Sequence, residues 1–161
     1  MKAPIVMAVF CLALVACSPP PMEPTEVGSI DAYDFAGQSA YEVAEGLEAV
    51  YIPSEFREVS LPTTSGSKPA TVAVMPYADF AYHEEHGSLG VYRGAEVSDL
   101  LAFSTLQSSQ IAGYKNLCAP TSFVLNSMSW MAVVSDGNRY GIRQAHGKGC
   151  KWALVLKEVA S

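Results

Sequence analysis

Apolar residues in this chain fall first in one unbroken block and then in several short periodic ones. The block is Ala3 to Ala16, fourteen residues without a charge, behind Met1 and Lys2. As a helix it would reach only ~21 Å, short of the ~30 Å hydrocarbon core of a bilayer. Ser18-Pro19-Pro20-Pro21 ends it abruptly. A short apolar run behind a basic start reads as a secretory signal rather than a membrane-spanning helix. Residues 18–29 (SPPPMEPTEVGS) show no hydrophobic period, and four prolines favour an extended chain. They read as a tether, with the fold starting near Ile30.

From residue 30 the periodic segments begin. Ala40, Val43, Ala44, Leu47 and Val50 or Tyr51 recur at helical spacing, with Glu42, Glu45 and Glu48 on the far side. Gly46 weakens that helix and Pro53 ends it. Residues 62–69 are a loop by composition, and Thr71–Met75 is a short strand stopped by Pro76. Tyr77 to Tyr92 mixes aromatics, histidine, acid and glycine without a period and reads as mostly loop. Glu96 to Ile111 fits a second helix through Val97, Leu100, Leu101, Ser108 and Ile111. Within the apolar run 123–134, Val124, Met128, Trp130, Ala132 and Val134 alternate as in a strand. Ser135-Asp136-Gly137-Asn138 is a turn, and Tyr140 and Ile142 alternate with Arg139 and Arg143. Gly147-Lys148-Gly149 is a second turn and Trp152–Leu156 a third strand. The expectation is an α+β domain of one or two helices with a C-terminal three-stranded antiparallel meander.

Composition narrows the class. The chain has 161 residues, half of them hydrophobic, and a formal net charge of −6. One small domain fits that length, the hydrophobic content argues against disorder, and the charge gives no general affinity for nucleic acid. The charge is uneven. Residues 18–99 hold fourteen acidic and three basic side chains, a formal −11, whereas residues 100–161 hold two acidic and six basic, a formal +4. Either the fold interleaves the two halves, or a basic side faces an anionic partner. Arg139, Arg143, Lys148 and Lys151 are the basic contact candidates. Tyr77, Phe80, Tyr82 and Tyr92 suggest a recognition loop, since tyrosine supplies contact area at low entropy cost. Trp130, Tyr140 and Trp152 are expected in the core.

The end of the first block is more specific. Leu14-Val15-Ala16-Cys17 resembles the bacterial lipoprotein signal, in which small residues precede an obligatory cysteine. The resemblance implies cleavage before Cys17, a diacylglycerol on its sulfur and an acylated N-terminus, which together make a stable anchor. Ser18 in place of Asp implies outer-membrane sorting in a cell with two membranes. The organisation expected is a signal peptide over 1–16, a lipidated Pro-rich tether over 17–29 and a single domain over 30–161.

Of four cysteines, Cys11 leaves with the signal and Cys17 carries lipid, so Cys118 and Cys150 remain in an oxidising compartment. A disulfide between them is expected. In the meander they would lie on either side of a middle strand, ~9–10 Å apart, beyond disulfide reach. Both would then have to sit in loops past the paired region.

Asn116-Leu117-Cys118-Ala119-Pro120-Thr121-Ser122 also resembles the nucleophile segment of papain-like peptidases. That resemblance implies Cys118 opening a helix over 120–133, His146 as general base and Gln110 near an oxyanion hole. Phe123, Ser127, Trp130, Met131 and Val134 permit such a helix, so helix and strand both stay open there. His83-Glu84-Glu85-His86 has its histidines three apart, not the four a zinc helix needs, and reads as an exposed polar loop. Asp31, Asp34 and the glutamates near 45 fit a solvated face. No cofactor is expected, because no phosphate-binding glycine motif opens a helix, and no metal, because a zinc site at Cys118 and Cys150 would need two further ligands and only His146 is near in sequence. The expected function is a lipid-anchored envelope protein with a non-catalytic recognition role: binding a protein or an envelope glycan, or inhibiting an incoming protein. The alternatives are a cysteine peptidase or amidase using Cys118 and His146, and a structural subunit of an envelope assembly.

Overall fold

The computed structural model describes residues 19–35, 37–46, 51–61, 67–106, 108–121, 129–136, 139–146 and 149–159. Among these residues seven strands form one sheet: β1 (Thr25–Ile30), β2 (Ala70–Pro76), β3 (Arg93–Gly94), β4 (Leu117–Cys118), β5 (Ser129–Asp136), β6 (Arg139–His146) and β7 (Trp152–Glu158). Three helices flank it: α1 (Ala40–Glu45), α2 (Tyr77–Glu85) and α3 (Val97–Leu106). The strand order is β1-β2-β7-β4-β5-β6, with β3 also paired to β7. Short β4 lies along the start of β7 (Trp152, Ala153) and short β3 along its later half (Val155, Leu156), so the two share one edge.

The architecture is mixed α+β, but two expectations fail. Among the described residues there are three helices, not one or two, because Tyr77–Glu85 is α2 and not a loop. The three C-terminal strands are not an antiparallel meander either. β5 and β6 pair antiparallel from Asp136↔Arg139 to Ser129↔His146, as a hairpin should. β7, however, sits at the centre between β2 and β4, and β6 lies at the edge. Since β4 is parallel to β7 and antiparallel to β5, β6 and β7 run in the same direction. The physical reason lies in β7 itself. Leu154 and Leu156 face one layer, Ala153 and Val155 the other, and all four are buried. A strand apolar on both faces belongs inside a sheet covered on both sides.

The covering layers are unequal. On one face, α1 and α3 pack over Ile30, Val72, Val74, Leu117, Val133, Ile142, Leu154 and Leu156. α3 is apolar nearly all round, with Leu100, Leu101, Ala102 and Phe103 fully buried, as a helix sandwiched between layers must be. α1 starts in a capping box, in which Glu42 N–H donates to Ser39 Oγ and Ser39 N–H donates to Glu42 Oε2. It ends at Gly46, where a Cβ would meet Val43 O at 3.3 Å and Thr105 Cγ2 of α3 at 3.9 Å. On the other face, α2 buries Phe80 against Ala73, Met75, Ala153 and Val155.

Strand begins at Thr25, inside the stretch that composition assigned to the tether, and β1 pairs with β2 through a bulge between Glu26 and Gly28. On the α2 face Lys157 Nζ donates to Glu26 Oε1 at 2.6 Å and Tyr92 Oη donates to the same oxygen at 3.1 Å. The Lys157 hydrogen bond, then that of Tyr92, holds the Glu26 carboxyl below its ordinary pKa.

Candidate functional site

At the end of the sheet where β1 and β7 finish and β2 and β3 begin, four segments distant in sequence meet around a cleft of about 330 Å³. Tyr33, Asp34 and Phe35 arrive from the chain after β1. Ser67 and Lys68 precede β2, Arg93 opens β3, Glu96, Ser98 and Asp99 belong to the start of α3, and Glu158 ends β7.

Asp99 is the centre, its side chain only 4% exposed. Its Oδ1 accepts from Tyr33 Oη at 2.6 Å and Arg93 Nη2 at 3.4 Å. Its Oδ2 accepts from Arg93 Nη1 at 2.7 Å and from the Glu96 N–H at 2.9 Å. Every lone-pair direction of the carboxylate is thus used, which is what allows a buried charge to persist. The Glu96 bond also closes the first turn of α3, where a carboxylate is favoured by the helix dipole. Burial, then the bond to Asp99 and its charge, pushes the Tyr33 phenol well above its ordinary value. The same carboxylate raises the Arg93 guanidinium, chiefly through their hydrogen bond.

The rim is looser. Lys68 Nζ lies 3.4 Å and Arg93 Nε 3.8 Å from the two Glu158 oxygens, all on half- or fully exposed side chains. Such pairs contribute roughly 0–1 kcal/mol. Tyr33 and Phe35 stack at 5.0 Å, and Tyr33 N–H donates to Ser67 Oγ at 3.0 Å. Four carboxylates (Asp34, Glu96, Asp99, Glu158) stand against two cations (Lys68, Arg93), a formal −2. The cleft combines a satisfied buried carboxylate with acidic rim side chains beside an aromatic wall.

The residues singled out in the sequence fall elsewhere. Cys118 Sγ is bonded to Cys150 Sγ with Cα atoms 5.8 Å apart. No middle strand intervenes, because β4 lies directly beside β7. Cys118 pairs in register with Ala153 and Ala132, so it sits inside the ladder and not in a loop. Gly149–Lys151 returns the chain from β6 to β7 across the α2 face, with Gly149 against Ala145 and Cys150 tied to β4. Three binding candidates gather there. Tyr77 packs on Cys118, Ala145 and Cys150, and its N–H donates to Lys151 O at 3.0 Å. Arg143 Nη2 donates to Gly149 O at 3.4 Å, while its buried Nε has no partner among the described residues. Lys151 is exposed. Arg139 is placed by its backbone on β6, and Lys148 and Cys17 lie outside the described residues.

Tyr82 stands apart on α2, stacked on His86 at 4.1 Å. The supposed recognition loop dissolves, since Phe80 is core and Tyr77 and Tyr92 are half-buried. Nor is 83–86 an exposed loop. His83 is a buried residue of α2, bonded to Ser88 Oγ and Met22 O, and among the described residues no cluster of metal-binding side chains exists.

The peptidase constellation is not assembled. Cys118 sits on a strand within a disulfide, whose sulfur is no thiolate, and residues from Ser129 on are strand rather than helix. Residues 122–128 lie outside the described residues. Gln110 packs beside Gly28 of β1, three strand spacings or about 14 Å across the sheet from β4. His146 is placed by its backbone at the end of β6. Of the cleft residues the sequence drew attention only to Asp34, as part of a solvated face. The one local signal was Asp99 in the first turn of an otherwise uncharged helix, which asks for buried partners. Compared with known proteins, the chain matches no family model, no curated protein and no solved structure.

Proposed function

We propose that this protein is a lipid-anchored component of the bacterial envelope, carried on Cys17 and sorted to the outer membrane, whose domain recognises another protein without catalysis. The observation that carries the recognition reading is the cleft. Its buried centre is fully hydrogen-bonded within itself, so it offers a preorganised surface, and preorganisation is what lets a small site bind without a large ordering cost. With four carboxylates to two cations and an aromatic wall, it suits donor-rich, cationic segments of a protein rather than acidic glycan. The disulfide agrees with an exported chain.

The test is capture from native membranes after mild crosslinking, comparing the parent with an Asp34→Asn/Glu96→Gln variant. Both residues are exposed, so the fold is spared. A specific protein captured by the parent and at least tenfold depleted with the variant supports the reading. Equal capture removes the cleft from it, and the absence of any specific protein defeats the recognition role.

A further inference from the structure

The segment taken as a free tether is held at Met22. Pro19, Pro20 and Pro21 line an open hollow together with Ala78, Asp79 and Tyr82 of α2. Met22 O lies 3.3 Å from Nε2 of His83, which is 5% exposed. A carbonyl only accepts, so Nε2 carries the proton, and Nδ1 meets Ser88 Oγ at 2.8 Å. β1 follows directly at Thr25. The chain is therefore held from Met22 onward, and four residues separate Met22 from Cys17.

We infer that this short segment orients the domain on the membrane: α2 and the start of β1 face the lipid headgroups, and the cleft faces away. The inference rests on the lipid-anchor reading of Cys17. Five residues from Cys17 to Met22 span at most about 18 Å. A lipid on Cys17 thus keeps Met22 and His83 of α2 closer to the headgroups than the far end of the sheet. The cleft lies at the opposite end of the sheet. β2 runs from Lys68 and Ala70 at the cleft to Pro76, where α2 starts, about 25 Å away at strand spacing.

The surface fits that contact. Of the five large exposed hydrophobics among the described residues, Met22 and Tyr82 lie on this segment and on α2, whereas Tyr51, Val91 and Val159 lie elsewhere. Tyrosine suits an interface with one wet and one apolar side. Asp79, Glu84 and Glu85 on α2 keep the contact at headgroup level, since carboxylates resist burial in hydrocarbon.

The experiment uses the mature, lipidated protein in phosphatidylethanolamine–phosphatidylcholine vesicles that carry a nitroxide on a fraction of the headgroups. With Cys118 and Cys150 bonded and Cys17 acylated, a single introduced cysteine takes a fluorophore. Ala81→Cys labels exposed α2 and Lys68→Cys labels the cleft rim. Mass spectrometry of the N-terminus comes first, and an unacylated Cys17 overturns the anchor and the orientation together. On acylated protein, quenching at residue 81 at least threefold stronger than at residue 68 is expected. Equal quenching, or stronger quenching at 68, overturns the orientation while leaving the anchor intact. Inserting twelve Gly-Ser residues between Ser18 and Pro19 adds about 20 Å of flexible chain and leaves every folded residue in place. The difference between the two labels should then shrink below 1.5-fold. If it persists unchanged, the short segment is not what orients the domain.

Discussion

Asp99→Asn keeps the shape of the central side chain and removes its charge. The aspartate accepts four hydrogen bonds, and an amide nitrogen cannot accept any of them. If that nitrogen faces Oδ2's partners, the Glu96 N–H and Arg93 Nη1 both lose their acceptor, which is the worse choice. If it faces Tyr33, the phenol can turn its hydrogen to Ser98 Oγ, 3.3 Å away, and accept from the amide. The variant therefore keeps three bonds and forfeits the longest, Arg93 Nη2 at 3.4 Å. Hydrogen bonds to a charged group contribute about 1.5–3 kcal/mol and neutral ones about 0.5–1.5. Weakening the three retained bonds by somewhat under 1 kcal/mol each, Arg93 being half exposed, gives a loss of about 2–3 kcal/mol. Urea unfolding should show an unchanged slope and a midpoint lower by about 1 M. Crossing the variant with Tyr33→Phe should give a coupling of about 1 kcal/mol, since the two groups touch. A loss under about 0.5 kcal/mol, the size of an ordinary surface change, would refute the claim that this carboxylate holds β3, α3 and the chain after β1 together.

Replacing both Cys118 and Cys150 by serine reopens a loop of 32 residues, and chain entropy sets the cost at about 3–4 kcal/mol. Urea unfolding measures it, and a free thiol at Cys118 in unreduced protein would contradict the pairing. Gly94→Ala should destabilise by about 1–3 kcal/mol, because a Cβ there runs into Thr121 Oγ1 and meets Phe80 Cζ at 3.1 Å and Pro120 Cγ at 3.2 Å. Thermal melting of this variant within 1 °C of the parent would show that the corner has room. The raised Tyr33 phenol favours its protonated form in the fold, so its contribution is complete below the ordinary tyrosine value near ~10 and is lost as pH rises beyond it. Melting temperature against pH should fall more steeply above that point in the parent than in Tyr33→Phe, and parallel curves would remove Tyr33 from the effect.

Several elements were legible because their cause is local. β2 announces itself by Thr71–Met75 between prolines, and α3 by the spacing of Val97, Leu100 and Leu101. The β5–β6 hairpin follows from alternation on both sides of a glycine turn. α2 was not legible, since its inward residues are few: Phe80 and His83 at a spacing of three, among polar neighbours. β1 hid behind prolines and shows no period because it is an edge strand, mostly exposed. The cleft was illegible for a different reason, as Tyr33 and Asp99 stand 66 residues apart with nothing nearby to join them.

The sequence by itself determined the apolar run over residues 3–16, the resemblance carried by Leu14-Val15-Ala16-Cys17, and β2, β6 and β7 as strands. Each rests on composition or on a period that acts within a few residues. Tertiary structure decided where β7 goes, and with it everything else. Two apolar faces demand two covering layers, so β7 took the centre, β4 came beside it, and the disulfide closed across neighbouring strands instead of around a loop. That arrangement set Tyr33, Arg93 and Asp99 together at one end of the sheet and left α2 beside the proline segment toward the other. Neither outcome is written in any local stretch, because burial on two faces is satisfied only by the whole chain at once.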